Sequence, residues 1–407
     1  MITPTGSSAA RLDQLIAQRQ SGWSLPRDFY VAADLFELDL ERIYRRHWLL
    51  AGPVCRIPQP GDYFTCEVGA DSLIFVREDS GEIRGFHNVC RHRGSRICLD
   101  SEGHTKRFVC PYHNWSYLLS GDLAHARHLP ENVPTGDLGL HPFAVRVVAG
   151  LIFFCLSDQP SEFSTTAEDV DRFFSPHQLD RTRIARRTTE VIRANWKVVA
   201  ENFWECYHCG PTHPEFCGVM SYAHAQNNTR LAAERVEFEH TWELETTARG
   251  GVSGTVPLAP PALHQGGRVP IRPGYLTQSR DGQPVAPLLG EATEYDGAVT
   301  SFMHYPLLWY LACNDHALLT RFTPKSPLET ELELTWLVAE TAVEGRDYTA
   351  DEVAWLWSVT AAQDKTICEN NQLGILSSRY QPGPYVTTES SVDGFVSWYL
   401  HELSRTS

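Results

Sequence analysis

The sequence predicts an α+β fold, with an all-β module followed by a mixed domain of antiparallel sheet and helix. Three observations predict it. From about 50 to 156, short runs such as Asp62-Tyr-Phe-Thr-Cys-Glu-Val68, Ser72-Leu-Ile-Phe-Val76 and Leu151-Ile-Phe-Phe154 alternate with turn pairs such as Ser80-Gly81 and Ser120-Gly121. Asn195 to Cys209 then reads as a helix that Gly210-Pro211 must end. Strand-like sequence fills 301–339, and a long helical stretch follows over 349–373.

The remaining elements are placed around these. Ala10, Leu12, Leu15 and Ile16 recur near helical spacing and predict a helix over 10–21; Leu40, Ile43 and Trp48 predict another over 39–48. Residues 157–190 are polar and read as a linker with one helix near 166–175. Gly and Pro crowd 249–298, which reads as loop, and a last helix is expected over 391–404. The expected division is therefore N-terminal helices over 1–48 packing on the last domain, a β module over 49–156 and a mixed domain over 157–407. Neither an internal repeat nor a low-complexity segment is present in the sequence.

Composition excludes several function classes. The chain has 407 residues, of which 42% are hydrophobic, as expected of a soluble globular protein with two or three domains. The longest strongly apolar run, Val147 to Leu156, is far short of the roughly 20 residues a bilayer demands. The N-terminus has no basic start followed by an apolar stretch, so a cytoplasmic location and no membrane are expected. A net charge of −15 argues against nucleic acid and is compatible with a cationic substrate. Eleven cysteines, an odd number, argue against a disulfide scaffold and for metal binding or burial.

Two metal-binding patterns dominate the sequence. The first is Cys90-Arg-His92, seventeen residues, then Cys110-Pro-Tyr-His113. Two thiolates and two imidazoles from two loops are the donor set of a 2Fe-2S cluster in which one iron takes sulfur and the other nitrogen, which raises its potential. The same four ligands also describe a structural zinc site. The flanks Arg91, Arg93, Gly94 and Ser95 on one loop, and Pro111, Tyr112 and Trp115 on the other, favour the cluster.

The second pattern is Glu205-Cys-Tyr-His208, four residues, then His213-Pro214. On a helix, Glu201, Glu205 and His208 at i, i+4 and i+7 share one stripe, and His213 lies just past its end. Two imidazoles and a carboxylate leave an iron with open positions for oxygen and substrate. The carboxylate must come from elsewhere, and a pair of satisfied loop histidines remains the plainer reading of these residues alone. An electron-carrying cluster beside an open iron implies an oxygenase, and without a G-x-G-x-x-G opening a helix, its electrons must come from a separate reductase.

CRHRGSRIC and CPYHNWSY resemble the cluster loops of Rieske non-heme iron oxygenase large subunits, and Asn195 to Pro214 resembles that family's iron-binding segment. The likeness extends to Arg27-Asp-Phe-Tyr30, Phe36 to Trp48, Gly61-Asp-Tyr-Phe64, Gln381-Pro-Gly-Pro-Tyr385 and Phe395-Val-Ser-Trp-Tyr399, nearly the whole chain. It implies a Rieske 2Fe-2S cluster on Cys90, His92, Cys110 and His113, and a mononuclear non-heme Fe(II) on His208, His213 and an acid from a late helix. Asp364 fits that acid best, with Glu369 second. Glu205 takes the place of the acid that bridges the iron of one subunit to the cluster of the next in a head-to-tail homotrimer. A carboxylate suits this place because it can hold two imidazole N–H groups at once. Asn202 is a candidate positioning group, and Glu201 is structural or positioning. Asn114 stands where many relatives carry glycine, so a slightly different loop is expected there.

The wording of Glu205-Cys-Tyr-His208-Cys and of the C-terminus is most similar to the branch acting on quaternary ammonium compounds: glycine betaine and stachydrine demethylases, with choline and carnitine monooxygenases nearby. It implies O2-dependent hydroxylation of an N-methyl group with release of formaldehyde. Ring dioxygenation and carnitine-type C–N cleavage are the alternatives. A quaternary cation cannot donate an N–H bond and calls for aromatic faces; Phe203, Trp204, Tyr305, Trp309 and Tyr310 are the candidates. Phe203-Trp204 replace residues that are polar in a glycine betaine demethylase, which implies a larger or more apolar pocket.

Overall fold

The structure is a computed structural model and describes residues 6–220, 229–259 and 263–405. The β module contains β1 (Leu49–Pro53), β2 (Asp62–Val68), β3 (Asp71–Arg77), β4 (Ile83–His87), β5 (Glu102–His104), β6 (Phe108–Val109), β7 (Ser116–Tyr117), β8 (Leu123–His125), β9 (Pro142–Val148) and β10 (Leu151–Cys155). Seven of these form an antiparallel sheet in the order β1-β10-β9-β4-β3-β2-β5, and β6, β7 and β8 form a smaller one. Ala149 and Gly150, both at positive φ, make the two-residue turn that sets Val148 opposite Leu151. A Cβ at Gly150 would lie 2.4 Å from the backbone nitrogen of Asp180, so only glycine fits.

The unbroken apolar run of β3 has a structural cause. Leu73 and Phe75 face the main core, whereas Ile74 and Val76 face a smaller cluster that also contains Cys90 and Cys110. A strand buried on both faces cannot alternate with polar residues.

The second domain is built on β11 (Thr182–Ile192), β12 (Gly254–Val256), β13 (His264–Pro270), β14 (Ala298–His304), β15 (Leu308–Ala312), β16 (Ala317–Ser326) and β17 (Glu329–Ala339). Their antiparallel order is β11-β17-β16-β15-β14-β13-β12. The helices are α1 (Gly6–Gln18), α2 (Asp28–Val31), α3 (Ala33–Asp39), α4 (Ser164–Phe174), α5 (Trp196–Phe203), α6 (Cys209–Thr212), α7 (Pro214–Val219), α8 (Thr229–Ala248), α9 (Ala350–Leu376) and α10 (Ser390–Ser404). The α+β class expected from the sequence holds.

Several expected elements need correction. The polar linker of 157–190 ends in β11, an edge strand whose Arg183, Arg186, Arg187 and Glu190 make it read as polar. The helix expected over 39–48 is the end of α3 followed by a π-helical turn, Leu40–Tyr44. The loop of 249–298 contains β12 and β13. The helix expected over 195–209 stops at Phe203.

The N-terminal helices are tied to the second domain. Asp39 is fully buried and holds the equally buried Lys197 ammonium, the Trp196 indole N–H at 2.9 Å and the Tyr399 hydroxyl at 2.7 Å. Tyr44 packs edge-on against Trp196, and Arg27 donates to the Ile375 carbonyl at the end of α9. Among the described residues, no helix is long and apolar enough to cross a membrane.

Candidate metal centres and substrate cavity

The cluster residues converge at one tip of the β module. Cys90 and Cys110 are buried beneath the surface, and His92 and His113 stand exposed above them with their Nδ1 atoms 3.1 Å apart. The loops are fixed from behind. The Cys90 N–H donates to the Ser95 carbonyl and the Cys110 N–H to the Trp115 carbonyl. The Tyr117 hydroxyl lies 3.2 Å from the Cys90 sulfur and accepts from the Arg91 N–H. Trp115 stacks on His92, and Tyr112 stacks on His113. Asn114 has φ of 59°, the left-handed conformation that asparagine tolerates better than most residues. Two inner thiols and two outer imidazoles facing each other fit a 2Fe-2S cluster with unlike ends.

The second centre starts from α5. Asn195 caps this helix by accepting from the Lys197 N–H and is itself pinned to the Pro327 carbonyl. Beyond Phe203 the chain turns, because the Glu205 carboxylate accepts from the N–H groups of Tyr207 and His208 and competes with helical bonding. A disulfide between Cys206 and Cys209 closes the same turn. The predicted stripe of Glu201, Glu205 and His208 is therefore broken, and Gly210-Pro211 lie within α6 instead of ending a longer helix.

Three side chains meet there. Asp364 of α9 places Oδ1 3.3 Å from His208 Nε2 and 3.0 Å from His213 Nε2. Both outer ring nitrogens are occupied. His208 Nδ1 donates to Glu205 at 2.5 Å, and His213 Nδ1 donates to Gln363 Oε1 at 2.9 Å. Gln363 in turn donates to Glu215, and Asn202 donates to Asp364 Oδ1 at 2.8 Å. Both Nε2 atoms thus point inward with their tautomers fixed. Burial opposes charge on His208, yet bonds from Asp364 and Glu205 outweigh it and push its pKa up to about 9. Two imidazoles with one carboxylate fit an open iron. The Cys209 sulfur also lies within 4.8 Å of ligand atoms of both histidines, but its disulfide removes it as a thiolate donor. Glu369, the second candidate for the acid, is elsewhere, accepting from the Arg193 N–H.

A cavity of about 200 Å³ opens beside the three residues. Its aromatic lining residues are Phe203, Phe216, Trp309 and Trp357, and Val299, Met303 and Leu311 also line it. Of the five aromatics singled out from sequence, only Phe203 and Trp309 reach it. Trp204 packs on Tyr305, which stacks on Trp398, and Tyr310 is buried with its hydroxyl on His304 Nε2. Strand periodicity explains the division. Val299, Ser301 and Met303 of β14 and Trp309 and Leu311 of β15 share one face, and Tyr310 must face the other way. Phe216, Trp357 and Gln278 were missed. Trp357 sits at i−7 from Asp364 on α9, with Thr360 between them on the same face, and that spacing was the available signal.

The chain matches the ring hydroxylating alpha subunit catalytic domain over residues 177–404 and the Rieske 2Fe-2S domain over 47–142. It is 36% identical over 406 residues to the glycine betaine monooxygenase oxygenase subunit of Chromohalobacter salexigens, covering 97% of this chain and 89% of that protein. It is 33% identical to the subunit of the same name from Pseudomonas aeruginosa strain UCBPP-PA14, covering 96% and 91%. The fold superposes on the quaternary ammonium Rieske monooxygenase CntA in complex with L-carnitine, with a TM-score of 0.70 at 20% identity over 96% of this chain and 98% of that one. The chain belongs to the Rieske non-heme iron oxygenase alpha subunits: it is an O2-using monooxygenase that carries a Rieske 2Fe-2S cluster and a mononuclear non-heme iron and takes its electrons from a reductase.

Proposed function

We propose that this enzyme hydroxylates an N-methyl group of a betaine-like quaternary ammonium compound and releases it as formaldehyde. The observation that carries this reading is the cavity itself. Phe203, Phe216, Trp309 and Trp357 line it beside His208, His213 and Asp364, and no Lys or Arg lines it among the described residues. Aromatic faces attract a cation that has no hydrogen to donate. The full-length relatives named glycine betaine monooxygenase support the same substrate class.

In this reading Cys90, His92, Cys110 and His113 hold the cluster, and His208, His213 and Asp364 hold the iron. When bound, the cluster supplies electrons and the iron supplies oxygen activation. The protein's own residues do the rest. Glu205 and Gln363 keep the outer protons of His208 and His213, and Asn202 orients Asp364. Val299, Met303 and Leu311 add apolar surface to the cavity lining. O2, two electrons and two protons convert the N-methyl group to N-hydroxymethyl and release one water. The C–N bond then breaks, giving formaldehyde, the demethylated amine and a proton.

Glu205 is the proposed bridge to the cluster of a neighbouring subunit in a homotrimer. It and His208 also border a second cavity, of about 370 Å³. The exposed His92 and His113, with Tyr112, 55% exposed, stacked on His113, suit docking against another copy.

The test is formaldehyde release by the metal-loaded enzyme with a surrogate reductase, NADH and a panel of N-methylated compounds. Formaldehyde in step with NADH use is the expected result. A panel member that binds and drives NADH use while yielding a hydroxylated ring, or trimethylamine, would replace this reading with one of the alternatives.

A further inference from the structure

Two tryptophans fix the polarity of the cavity's far wall. The Trp357 indole N–H donates to Gln278 Oε1 at 2.9 Å, and the Trp309 indole N–H donates to Ser301 Oγ at 2.9 Å. An indole N–H can only donate. It therefore settles which end of the Gln278 amide is oxygen, and it uses Ser301 as an acceptor. The two rings pack edge to face with centroids 4.4 Å apart, which holds both donors in place.

The consequence lies on the other end of each polar group. Gln278 is buried, and among the described residues its Nε2 has one partner, the Met220 thioether at 3.4 Å. A thioether is a weak acceptor for an amide that carries two hydrogens. The Ser301 hydroxyl hydrogen has no acceptor among the described residues. Of the wall's other polar groups, Thr360 donates back to the Leu356 carbonyl, and Asn202 is turned toward Asp364, to which it donates. Gln278 is itself rigidly placed, because its neighbour Thr277 is buried with its hydroxyl on Asp315. The cavity therefore pairs aromatic faces with two oriented, neutral hydrogen-bond donors, and no Lys or Arg lines it among the described residues.

We infer that Gln278 Nε2 and Ser301 Oγ receive the carboxylate of a zwitterionic substrate whose ammonium end lies on the aromatic wall. This rests on the proposed quaternary ammonium function and deepens it, because it selects carboxylated betaines over carboxylate-free amines such as choline. Neutral donors suit a net-neutral zwitterion. They meet the anion without adding a positive charge that would repel the ammonium end.

The test compares glycine betaine with choline, by calorimetric binding to the metal-loaded enzyme and separately by formaldehyde release. The key variant is Gln278→Glu, which keeps an acceptor for the Trp357 N–H but replaces the donor with a second acceptor. Wild type is expected to bind glycine betaine at least tenfold more tightly than choline. Gln278→Glu should collapse or invert that ratio, and Ser301→Ala should reduce it less. A Kd ratio unchanged in Gln278→Glu, a ratio near one in wild type, or no binding of either compound would overturn the assignment. Formaldehyde reads the other question: tight betaine binding with a Gln278-dependent ratio but no formaldehyde would leave the carboxylate site standing and remove N-demethylation.

Discussion

Trp309 and Tyr310 are adjacent in the chain and face opposite sides of β15. Trp309 borders the cavity, while Tyr310 is buried against Phe302 and bonded to His304. Trp309→Leu should lower kcat/KM for a quaternary substrate by about tenfold, the size of a desolvated cation–π contact of roughly 1–2 kcal/mol. Tyr310→Phe should leave kcat/KM alone and cost about 1–2 kcal/mol of stability, because His304 loses its buried partner. Steady-state kinetics and denaturant unfolding of the pair test this directly. Glu201 is the other residue whose surroundings decide its behaviour. Burial pushes its pKa from the ordinary 4.5 up to about 7, against the pull of the Tyr30 and Tyr385 hydroxyls that donate to it. The folded state therefore holds a proton that the unfolded chain releases at lower pH. Glu201's contribution to stability is complete below pH 4.5 and is lost as the pH rises through about 7. Glu201→Gln, neutral throughout, should flatten the fall of Tm over that window. An unaltered pH profile would show that Glu201 stays ionised. At this scale the proposed metal ligands could be named from sequence, because Cys-x-His, Cys-x-x-His and His-x4-His are local patterns. The aromatic wall was not, because a strand's two faces cannot be told apart until its partners are known.

Among the elements, α5 shows where sequence periodicity misleads. The apolar spacing from Asn195 runs on toward Cys209, but Glu205 turns its carboxylate onto the backbone of Tyr207 and His208 and ends the helix. Side-chain capping inside a helical pattern is invisible to hydrophobic periodicity. The polar edge strand β11 was hidden for the opposite reason, since it lacks the apolar alternation by which strands are found. By contrast, α4, α9 and α10 lie close to where the sequence placed them. The base of α5 depends on the buried Asp39–Lys197 pair. Asp39→Ala strands the Lys197 charge and should cost about 3–5 kcal/mol. Replacing both partners with apolar residues of similar volume should recover only part of that loss, because the Trp196 N–H and Tyr399 O–H still lack the acceptor that Asp39 supplied. Equal destabilisation of the single and double variants in urea would show that shape, not charge, is what Asp39 provides.

At the scale of the whole molecule, two metal centres of different character share one chain. The order of a β module followed by a mixed domain was readable because each motif announces its own neighbourhood. The cavity was not, because its wall is gathered from 202–220, Gln278, 299–311 and 357–364, and only the folded sheet and α9 bring these together. Glu205 is the residue through which the two centres are proposed to communicate. Glu205→Ala should retain cluster and iron while oxidation of the reduced cluster by O2 and substrate slows at least tenfold. Wild-type turnover in this variant would remove the bridging role.

The iron assignment underlies all the rest, and Asp364→Ala tests it most directly. Iron content and the visible and EPR spectra of the variant should be measured together. Loss of one iron per chain, an unaltered cluster spectrum and no product are the expected results. Retention of the full iron content, or loss of the cluster signal with the iron, would contradict it.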